Sequence, residues 1–498
     1  MNAAEHLLGA AALARHGAKT ALICGDESVT YAELAARTAR SAAALGALGV
    51  RPGERVLMMM RDTPQFAAAW LGAVHAGAVA VGVNSKLSDA DVRHIARDSG
   101  ARLALMEDIY TAERSALAAD VRLVGSDEWR ALVRGAPQVA ALDCMPDSPA
   151  LMLYSSGTTG RPKGIVHRHH SILCVGGSFR ELGLGEGDRV FTTSKFFFAY
   201  GIEHGLLSPL SHGATSVLCP GWPDAEAVVD IVSRLRPAAM FSVPTMYRRL
   251  LAEGHGRLAA FSGVRRFVAG GERLSSQLES QWKKAVGVEI LNLYGMSETF
   301  CACILTPPGT SDGIRTGKPL PGVEVRLLSA SGAEPAPEDP GVLWVRHPAQ
   351  ASGYANLPEQ TREQFRDGWF CSRDLFVRDA EGYYIHQGRS DELIKVAGQW
   401  VQPGELEETA AREAAVAEAA CVPVLDGDGL ERLALFVTSR GDAAAAQRAA
   451  LEACERALPR HKRPKWVRAV AELPRTATGK VQRYKLREIL ERELSGKD

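Results

Sequence analysis

Hydroxyl, glycine and lysine side chains are concentrated in one stretch of the chain, Tyr154–Gly164, with the sequence Tyr-Ser-Ser-Gly-Thr-Thr-Gly-Arg-Pro-Lys-Gly. Glycine lets the backbone turn with its N–H groups facing inward, and the hydroxyl groups and Lys163 add donors for anionic oxygens. This combination predicts a phosphate-binding loop. It is not a Walker A loop, which requires Gly-Lys-Ser/Thr, because Pro162 and Gly164 flank Lys163. The alternative is an ordinary surface loop, which would be the expected interpretation of a shorter stretch.

The elements around this loop follow a strand–helix rhythm. The apolar run Ala150–Leu153 predicts a strand that leads into the loop. Upstream, the pattern predicts strands at 56–60, 78–83 and 102–106 and helices at 63–75 and 88–98, the second helix capped by Ser88. A βαβαβ order implies a parallel sheet covered by helices. Near the other end, helices at 403–415 and 442–458 and a strand at 430–437 predict a small α+β domain.

Composition excludes several classes of protein. The chain has 498 residues, too many for one simple domain, and its 58 basic residues balance 58 acidic ones. A nucleic-acid-binding protein would need a basic excess. The nine cysteines are scattered without a Cys-x-x-Cys pair, which is typical of reduced thiols in a cytoplasmic protein. Because we find neither a basic-then-apolar leader nor an apolar run of 18 residues, we expect no export and no membrane span.

Further motifs connect the loop to a known family. Leu291–Thr299 reads Leu-Asn-Leu-Tyr-Gly-Met-Ser-Glu-Thr, and Leu473–Lys480 reads Leu-Pro-Arg-Thr-Ala-Thr-Gly-Lys. With the loop, at least five such motifs occur in family order, and the chain resembles the adenylate-forming superfamily of acyl- and aryl-CoA ligases, peptide-synthetase adenylation domains and luciferases. The resemblance implies an α/β fold. Its large N-terminal domain, residues 1–390, would contain layered, mostly parallel sheets with helices and a β-barrel-like subdomain. Residues 391–498 would form a small, mobile α+β domain.

The resemblance implies a site for ATP. The residues expected to hold its β- and γ-phosphates are Ser155, Ser156, Gly157, Thr158, Thr159, Gly160 and Lys163. An adenine-wall turn corresponds to Gly271, Glu272 and Arg273. Tyr294 is expected to stack on adenine beside Gly295 and Ser297, and Glu298 is expected to ligate Mg²⁺, a hard cation that suits carboxylate oxygens. Asp374 is expected to accept the ribose hydroxyls, although relatives end this motif Thr-Gly-Asp and this chain ends it Ser-Arg-Asp.

The resemblance also assigns roles around the small domain. Arg389 is expected near the ribose and the α-phosphate, and Asp391 matches the hinge about which the small domain would rotate. The loop at Gly398 is expected to line the thiol channel. Lys480 lies in a Thr-Gly-Lys turn and fits the catalytic lysine of the family.

The aromatic segment Lys195–His204 resembles the acyl pocket of benzoate-CoA ligases. The expected pocket residues are Phe198, Ala199 and Tyr200, together with Gly295, Cys301 and Ala302. Benzoate ligases carry His and a bulky aliphatic residue at the last two positions, so a ring substituent, hydroxyl or amino, is expected to fill the gap. Glu203 and His204 are expected to supply polar contacts at its rim. In the alternative, Phe196 or Phe197 closes the space.

The implied activity is that of an acid–thiol ligase that converts an aryl acid into an acyl-adenylate and then transfers it to coenzyme A. A second hypothesis is a stand-alone adenylation enzyme that loads a carrier protein. A third is a non-catalytic adenylate binder, which the presence of Lys480, Glu298 and Asp374 disfavours. The expected partners are an aryl acid and coenzyme A, or a carrier protein under the second hypothesis. Neither nucleic acid nor a membrane is expected as a partner, and the chain is expected to act as a monomer or homodimer.

Overall fold

The computed structural model describes residues 1–110, 117, 121–156, 161–254, 257–329, 331–396, 399–427, 430–475 and 481–495. Its strands are β1 Thr20–Cys24, β2 Glu27–Thr30, β3 Arg55–Met59, β4 Val79–Gly82, β5 Leu103–Met106, β6 Arg122–Val124, β7 Pro149–Ser156, β8 Pro162–Arg168, β9 Arg189–Thr192, β10 Thr215–Leu218, β11 Ala239–Ser242, β12 Arg266–Gly270, β13 Ile290–Gly295, β14 Ala302–Leu305, β15 Lys318–Pro319, β16 Glu324–Leu328, β17 Gly341–Arg346, β18 Gly353–Tyr354, β19 Phe365–Arg366, β20 Trp369–Arg378, β21 Tyr384–Arg389, β22 Ile394–Val396, β23 Gln399–Val401, β24 Val416–Leu425, β25 Glu431–Ser439 and β26 Trp466–Ala469.

The helices are α1 Ala3–Leu8, α2 Ala10–His16, α3 Tyr31–Ala47, α4 Pro64–His75, α5 Asp89–Ser99, α6 Ser126–Gly135, α7 His169–Leu173, α8 Gly177–Leu182, α9 Ala199–Ile202, α10 Ser208–Ser211, α11 Ala225–Leu235, α12 Pro244–Glu253, α13 Ser276–Val286, α14 Pro358–Gln364, α15 Pro403–Ala411, α16 Ala443–Ala457 and α17 Arg483–Ser495. A π-helical turn, Glu203–Leu207, lies between α9 and α10. Among the described residues, no helix combines the length and apolar character that crossing a bilayer requires.

Close contacts divide the chain into two compact units. The larger unit comprises residues 1–326, 344–372 and 378–385, and the smaller comprises residues 327–343, 373–377 and 386–498. The predicted division at residues 390 and 391 stays a prediction. A five-stranded sheet has the strand order β16-β17-β20-β19, with β21 paired to β20, and the barrel-like subdomain stays a prediction.

Two sheets organise the larger unit. One has the strand order β18-β8-β7-β4-β3-β5-β6 and the other the order β15-β14-β13-β12-β11-β9-β10-β1-β2. Pairing is parallel through the centres of both sheets and antiparallel at β7–β8, β8–β18, β13–β14, β14–β15 and β1–β2. The predicted layered, mostly parallel α/β fold is therefore confirmed. Ser88 caps α5 as predicted, because its hydroxyl accepts from the Asp91 N–H at 3.2 Å.

The smaller unit contains an α+β layer, as predicted. Strands β24, β25 and β26 form one sheet, in which β24 and β25 are antiparallel and β25 and β26 are parallel. Its buried core includes Leu406 of α15, Leu435 of β25 and Ala450 of α16. These helices cover the sheet because their apolar residues recur at helical spacing and face it.

Candidate active site

The phosphate-loop motif lies at the tip of the β7–β8 hairpin. Ser155 pairs with Lys163 across the hairpin, and the strand ends at Ser156, opposite Pro162. Gly157, Thr158, Thr159 and Gly160 lie outside the described residues, and so does the side chain of Ser156. The structure therefore places Ser155 and Lys163 opposite each other, one pair before the described part of the hairpin ends.

Lys163 and Glu298 meet at one aromatic residue, Tyr354. The ammonium group of Lys163 lies 5.0 Å from the centroid of the Tyr354 ring, within the range of a cation–π contact. The Tyr354 hydroxyl donates to Oε1 of Glu298 at 2.8 Å, and it lies 2.7 Å from the side-chain amide of Gln364. Tyr354 thus joins the base of the phosphate loop to the acid of the second motif. No role was predicted for Tyr354, which lies in the short strand β18 beside β8.

The turn that carries Glu298 is fixed by local hydrogen bonds. The Thr299 hydroxyl accepts from the Met296 N–H at 3.3 Å and donates to a carbonyl oxygen. Phe300 has a φ of 62°, a left-handed conformation that is uncommon outside glycine. The Nε2 atom of His167 donates to the Ser297 carbonyl oxygen at 2.7 Å. Burial lowers the pKa of His167 to about 4, so this contact holds the turn with a neutral imidazole at neutral pH.

The strands on either side of that turn bring together three residues that were predicted to line the acyl pocket. Gly295 of β13 pairs with Ala302 of β14. A methyl group added at Gly295 would lie 3.2 Å from the Ala302 Cα and 3.3 Å from the Cys301 carbonyl oxygen, so a larger residue would push the strands apart. Tyr294, the predicted adenine-stacking residue, is half-buried at the end of β13 and directs its hydroxyl to the Met296 sulfur at 3.2 Å.

The predicted adenine-wall turn follows β12. Gly271 has a φ of 78°, which glycine adopts without strain, and Arg273 is exposed. The Glu272 carboxylate accepts from the backbone N–H and the hydroxyl of Thr245, at 3.1 and 2.6 Å. Thr245 lies in the first turn of α12, where a carboxylate also interacts favourably with the helix dipole. Glu272 therefore stabilises the start of a helix, a role that the sequence did not reveal.

The aromatic segment lies against the carboxyl ends of the parallel strands. Phe198 is half-buried and precedes α9, whereas Ala199 is buried. The Tyr200 hydroxyl lies 3.2 Å from the carbonyl oxygens of both Ser242 in β11 and Val268 in β12. A methyl group added at Gly270 would come within 3.0 Å of the Tyr200 ring. Ligands of open α/β sheets bind at the carboxyl ends of strands, and this is where the segment lies.

A buried ion pair anchors the start of the aromatic segment. Lys195 and Asp62 are in contact at 2.9 Å, and each side chain is only 5% exposed. The Lys195 ammonium also donates to the carbonyl oxygens of Cys219, Pro220 and Gly221 at 2.7–3.2 Å. One lysine thus ties three separate parts of the chain together.

Glu203 and His204 are buried, so their predicted position at a polar rim is wrong. Both lie in the π-helical turn and are at most 2% exposed. Oε1 of Glu203 lies 3.5 Å from the Ala302 N–H, and its carboxyl group hydrogen-bonds the Cys301 thiol. The difference arises from packing, because Glu203 lies against Cys301 and Ala302, and the His204 ring stacks on Phe241 at a centroid distance of 4.4 Å.

The smaller unit gathers a second group of predicted residues. Arg389 forms two hydrogen bonds with the Asp391 carboxylate, at 2.8 and 3.1 Å, and a longer one of 3.4 Å with Asp374. Burial opposes the charge on Arg389, but the hydrogen bond to Asp391 and the charge of Asp374 hold its pKa above the ordinary value. His386 also lies 3.8 Å from the Asp374 carboxylate. Gly398 and Lys480, the predicted channel and catalytic residues, lie outside the described residues.

The larger unit therefore holds three features with predicted roles in nucleotide and acid binding, namely the β7–β8 hairpin, Glu298 beside Tyr354, and the aromatic segment at the strand ends. Residues 10–355 match the family of AMP-binding enzymes, and residues 405–480 match the C-terminal domain of that family. The chain therefore belongs to the AMP-binding enzyme family, and the resemblance to adenylate-forming enzymes is confirmed.

Its relatives include ligases of aromatic acids. The chain is 40% identical to a 3-hydroxybenzoate–CoA/4-hydroxybenzoate–CoA ligase of Thauera aromatica, over 99% of this chain and 98% of the relative. A benzoate CoA ligase from Burkholderia xenovorans LB400 superposes with a TM-score of 0.90 at 33% identity, covering 98% of this chain and 100% of that one. The anthranilate CoA ligase AuaEII, solved with anthranoyl-AMP, has a TM-score of 0.90 and 32% identity, with coverage of 98% and 97%.

Proposed function

We propose that this protein is an AMP-forming ligase that joins an aromatic carboxylic acid, preferably a hydroxy- or aminobenzoate, to coenzyme A. The observation that carries the proposal is the meeting of Lys163 and Glu298 at Tyr354. Under this proposal Lys163, which contacts the Tyr354 ring, binds phosphate oxygens, and Glu298, which accepts from the Tyr354 hydroxyl, binds a metal ion. The hydroxybenzoate, benzoate and anthranilate ligases among its relatives support the choice of acid.

The reaction has two steps. A carboxylate oxygen of the acid attacks the α-phosphorus of ATP, forming a new P–O bond while the bond to pyrophosphate breaks. The thiolate of coenzyme A then attacks the carbonyl carbon of the acyl-adenylate, forming a C–S bond as AMP leaves. Both partners in the first step are anionic, so positioned cations must stabilise the charge that develops. Arg389 and Lys480 are assigned this role, and the residues of the phosphate loop hold the departing pyrophosphate.

The chemistry of the site fits Mg²⁺. Among the described residues, no group of three or more His, Cys, Asp or Glu side chains could hold a metal ion. Mg²⁺ is usually held by one or two carboxylates together with substrate phosphates and water, and Glu298 supplies one carboxylate oriented by Tyr354. When bound, the ion would neutralise negative charge on the phosphates.

The remaining assignments form part of the same proposal. Gly271, Glu272, Arg273, Tyr294, Gly295 and Ser297 surround the base, and Asp374 accepts the ribose hydroxyls. Because the Glu272 carboxylate is occupied at α12, its contribution would come from the backbone. Phe198, Ala199, Tyr200, Gly295, Cys301 and Ala302 contact the aryl ring, and residues 391–498 rotate about Asp391 so that the Gly398 loop lines the thiol channel.

The first test measures pyrophosphate release from ATP with benzoate and its ortho, meta and para hydroxy and amino forms, with and without coenzyme A. We expect a hydroxy- or aminobenzoate to give the highest kcat/KM and coenzyme A to be required for AMP release and multiple turnovers. Release of pyrophosphate without any transfer to coenzyme A would favour the carrier-protein hypothesis. No response to any aryl acid would refute the proposed function.

The second test separates the two half-reactions. Losing one preorganised electrostatic donor costs about 10²–10³-fold in rate, so Lys480→Ala should slow adenylation at least that much. The variant should consume supplied aryl-adenylate and coenzyme A at nearly the wild-type rate. Lys485→Ala, a change at a nearby residue in α17, is the matched control and should leave both half-reactions intact. Equal loss of the two half-reactions in Lys480→Ala would contradict the role of Lys480.

A further inference from the structure

Glu203 is a buried acid that the proposed reaction does not use. It opens the π-helical turn Glu203–Leu207, three residues after Tyr200, and is 2% exposed. Burying an ionised carboxylate without a charged partner is costly. The π turn is rare and occurs frequently at functional sites. The π turn therefore holds a carboxyl group, whose burial costs free energy, next to the proposed aryl-acid site.

The groups that face Glu203 give its carboxyl group weak partners. Oε1 lies 3.5 Å from the Ala302 N–H, and the Cys301 thiol is the other hydrogen-bonding neighbour. Oε2 lies 3.5 Å from Nδ1 of His204. A contact of 3.5 Å is longer than an ordinary N–H···O hydrogen bond of 2.7–3.2 Å. Among the described residues, the ion pairs of Glu203 include no lysine or arginine.

His204 carries no charge that could balance Glu203. Nδ1 lies 3.1 Å from the Tyr200 carbonyl oxygen, which can only accept, so Nδ1 carries the proton. Nε2 then accepts from the Ser178 hydroxyl at 3.1 Å. Burial lowers the pKa of His204 to about 3. The imidazole is therefore neutral, and its proton is already directed at Tyr200.

Glu203 is consequently protonated at neutral pH. Burial raises its pKa to about 8, against the smaller opposing effects of the Ala302 N–H and the Cys301 thiol. A protonated carboxyl group has one O–H donor and a carbonyl oxygen acceptor. The Ala302 N–H can only donate and the Cys301 sulfur is a weak acceptor, so the O–H group has no strong acceptor among these neighbours.

We propose that Glu203 is a specificity-determining residue that hydrogen-bonds a hydroxyl or amino substituent on the ring of the aryl acid. The Glu203 O–H donates to the oxygen of a ring hydroxyl, and that hydroxyl donates in return to the Glu203 carbonyl oxygen. A ring amino group uses the second of these hydrogen bonds. The proposal rests on the proposed function, and it identifies the group that distinguishes a substituted benzoate from benzoate.

The magnitude follows from the asymmetry of buried hydrogen bonds. A site built to hydrogen-bond a substrate group discriminates against an analogue that lacks the group, because the buried partner is then left unsatisfied. We expect the wild-type protein to prefer its best hydroxybenzoate over benzoate by about 10- to 100-fold in kcat/KM.

The test compares kcat/KM for that hydroxybenzoate and for benzoate in the full-length protein and two variants. Glu203→Leu should lower the hydroxybenzoate value about 10- to 100-fold and leave benzoate unchanged or improved. Glu203→Gln keeps one donor and one acceptor and should retain part of the preference. The matched control is Glu279→Leu, because Glu279 is also a buried acid, at 5% exposure, but lies in α13. It should leave the ratio unchanged.

The outcomes separate this inference from the proposed function. Equal losses for both acids, or an unchanged ratio in a folded Glu203→Leu variant, would overturn the role of Glu203 while leaving the ligase activity in place. If Glu203→Leu does not fold, Glu203→Gln decides, because an unchanged ratio with that variant refutes the proposal. If no aryl acid supports pyrophosphate release, the proposed function itself fails.

Discussion

Replacing Lys195 should destabilise the protein more than replacing its partner. The Lys195 ammonium contacts Asp62 at 2.9 Å and also donates to the carbonyl oxygens of Cys219, Pro220 and Gly221. Lys195→Met removes the only positive charge of the ion pair and the donor that these carbonyl groups share. Asp62→Asn, by contrast, leaves the ammonium group its three carbonyl acceptors, and the asparagine side chain, which is nearly the same shape as aspartate, supplies an amide oxygen.

The magnitudes follow from burial. Removing one partner of a buried ion pair costs about 3–5 kcal/mol, because an uncompensated charge is left behind. Lys195→Met belongs in this range. Burial already raises the pKa of Asp62 to about 6, and losing the opposing charge of Lys195 would raise it further. For Asp62→Asn we expect the smaller cost of about 1–3 kcal/mol, because three carbonyl oxygens still accept from the Lys195 ammonium group that remains charged.

Urea unfolding followed by tryptophan fluorescence measures both variants. The matched control is Lys283→Met, since Lys283 is exposed on α13 and should change the free energy of unfolding by less than about 0.5 kcal/mol. We also expect Lys195→Met to raise KM for the aryl acid more than for ATP, because Lys195 begins the aromatic segment. A Lys195→Met protein as stable as the control, or an Asp62→Asn protein less stable than Lys195→Met, would refute this reasoning.

Four further predictions concern the catalytic cycle, specificity, metal use and acid stability. Asp391→Pro fixes φ at the proposed hinge, so it should preserve adenylation and abolish thioester formation; thioester formation at the wild-type rate would rule out rotation there. Ala302→Ile adds about three carbons, each worth roughly 0.8 kcal/mol when buried. It should shift the ratio of kcat/KM for hydroxybenzoate and benzoate towards benzoate, whereas a constant ratio would mean that the ring substituent does not lie at Ala302. Tyr354→Phe removes the hydrogen bond to Glu298 and should raise the Mg²⁺ concentration needed for half-maximal pyrophosphate release about 10-fold. An unchanged Mg²⁺ dependence would indicate that Glu298 binds no metal. His167 has a pKa of about 4 in the folded protein and near 6.5 when unfolded, so the unfolded chain binds more protons between these values. The free energy of unfolding should therefore fall by up to about 3 kcal/mol between pH 6.5 and pH 4. His167→Gln should reduce this fall, and an unchanged pH dependence would mean that the histidine titrates normally in the folded protein.

The order of elements was largely predictable because hydrophobic periodicity is a local property. The predicted strands at 56–60, 78–83 and 102–106 correspond to Arg55–Met59, Val79–Gly82 and Leu103–Met106. The predicted helix at 442–458 corresponds to Ala443–Ala457, whereas the helix predicted to reach 415 ends at Ala411. The ten-residue strand β24 was not predicted, although it pairs with every residue of β25.

The site was less predictable because its contacts join distant parts of the chain. Nothing in the sequence around Glu272 shows that its carboxylate caps α12 through Thr245. Glu203 was predicted at a polar rim, and its burial arises from contacts with Cys301 and Ala302, about a hundred residues further along the chain. Tyr354 and Glu298 are 56 residues apart, so no local pattern in the sequence indicated that their side chains are in contact.

The strand order of the nine-stranded sheet constrains how the chain can fold during synthesis. Leu22 of β1 pairs with Ser216 of β10, a partner made about 190 residues later, and such non-local pairing is slow because a long loop must close first. At roughly 5–20 residues per second, the ribosome needs on the order of 10 to 40 seconds to supply it. Throughout that interval one edge of β1 remains without its final neighbour, and an unpaired strand edge is open to pairing with other chains.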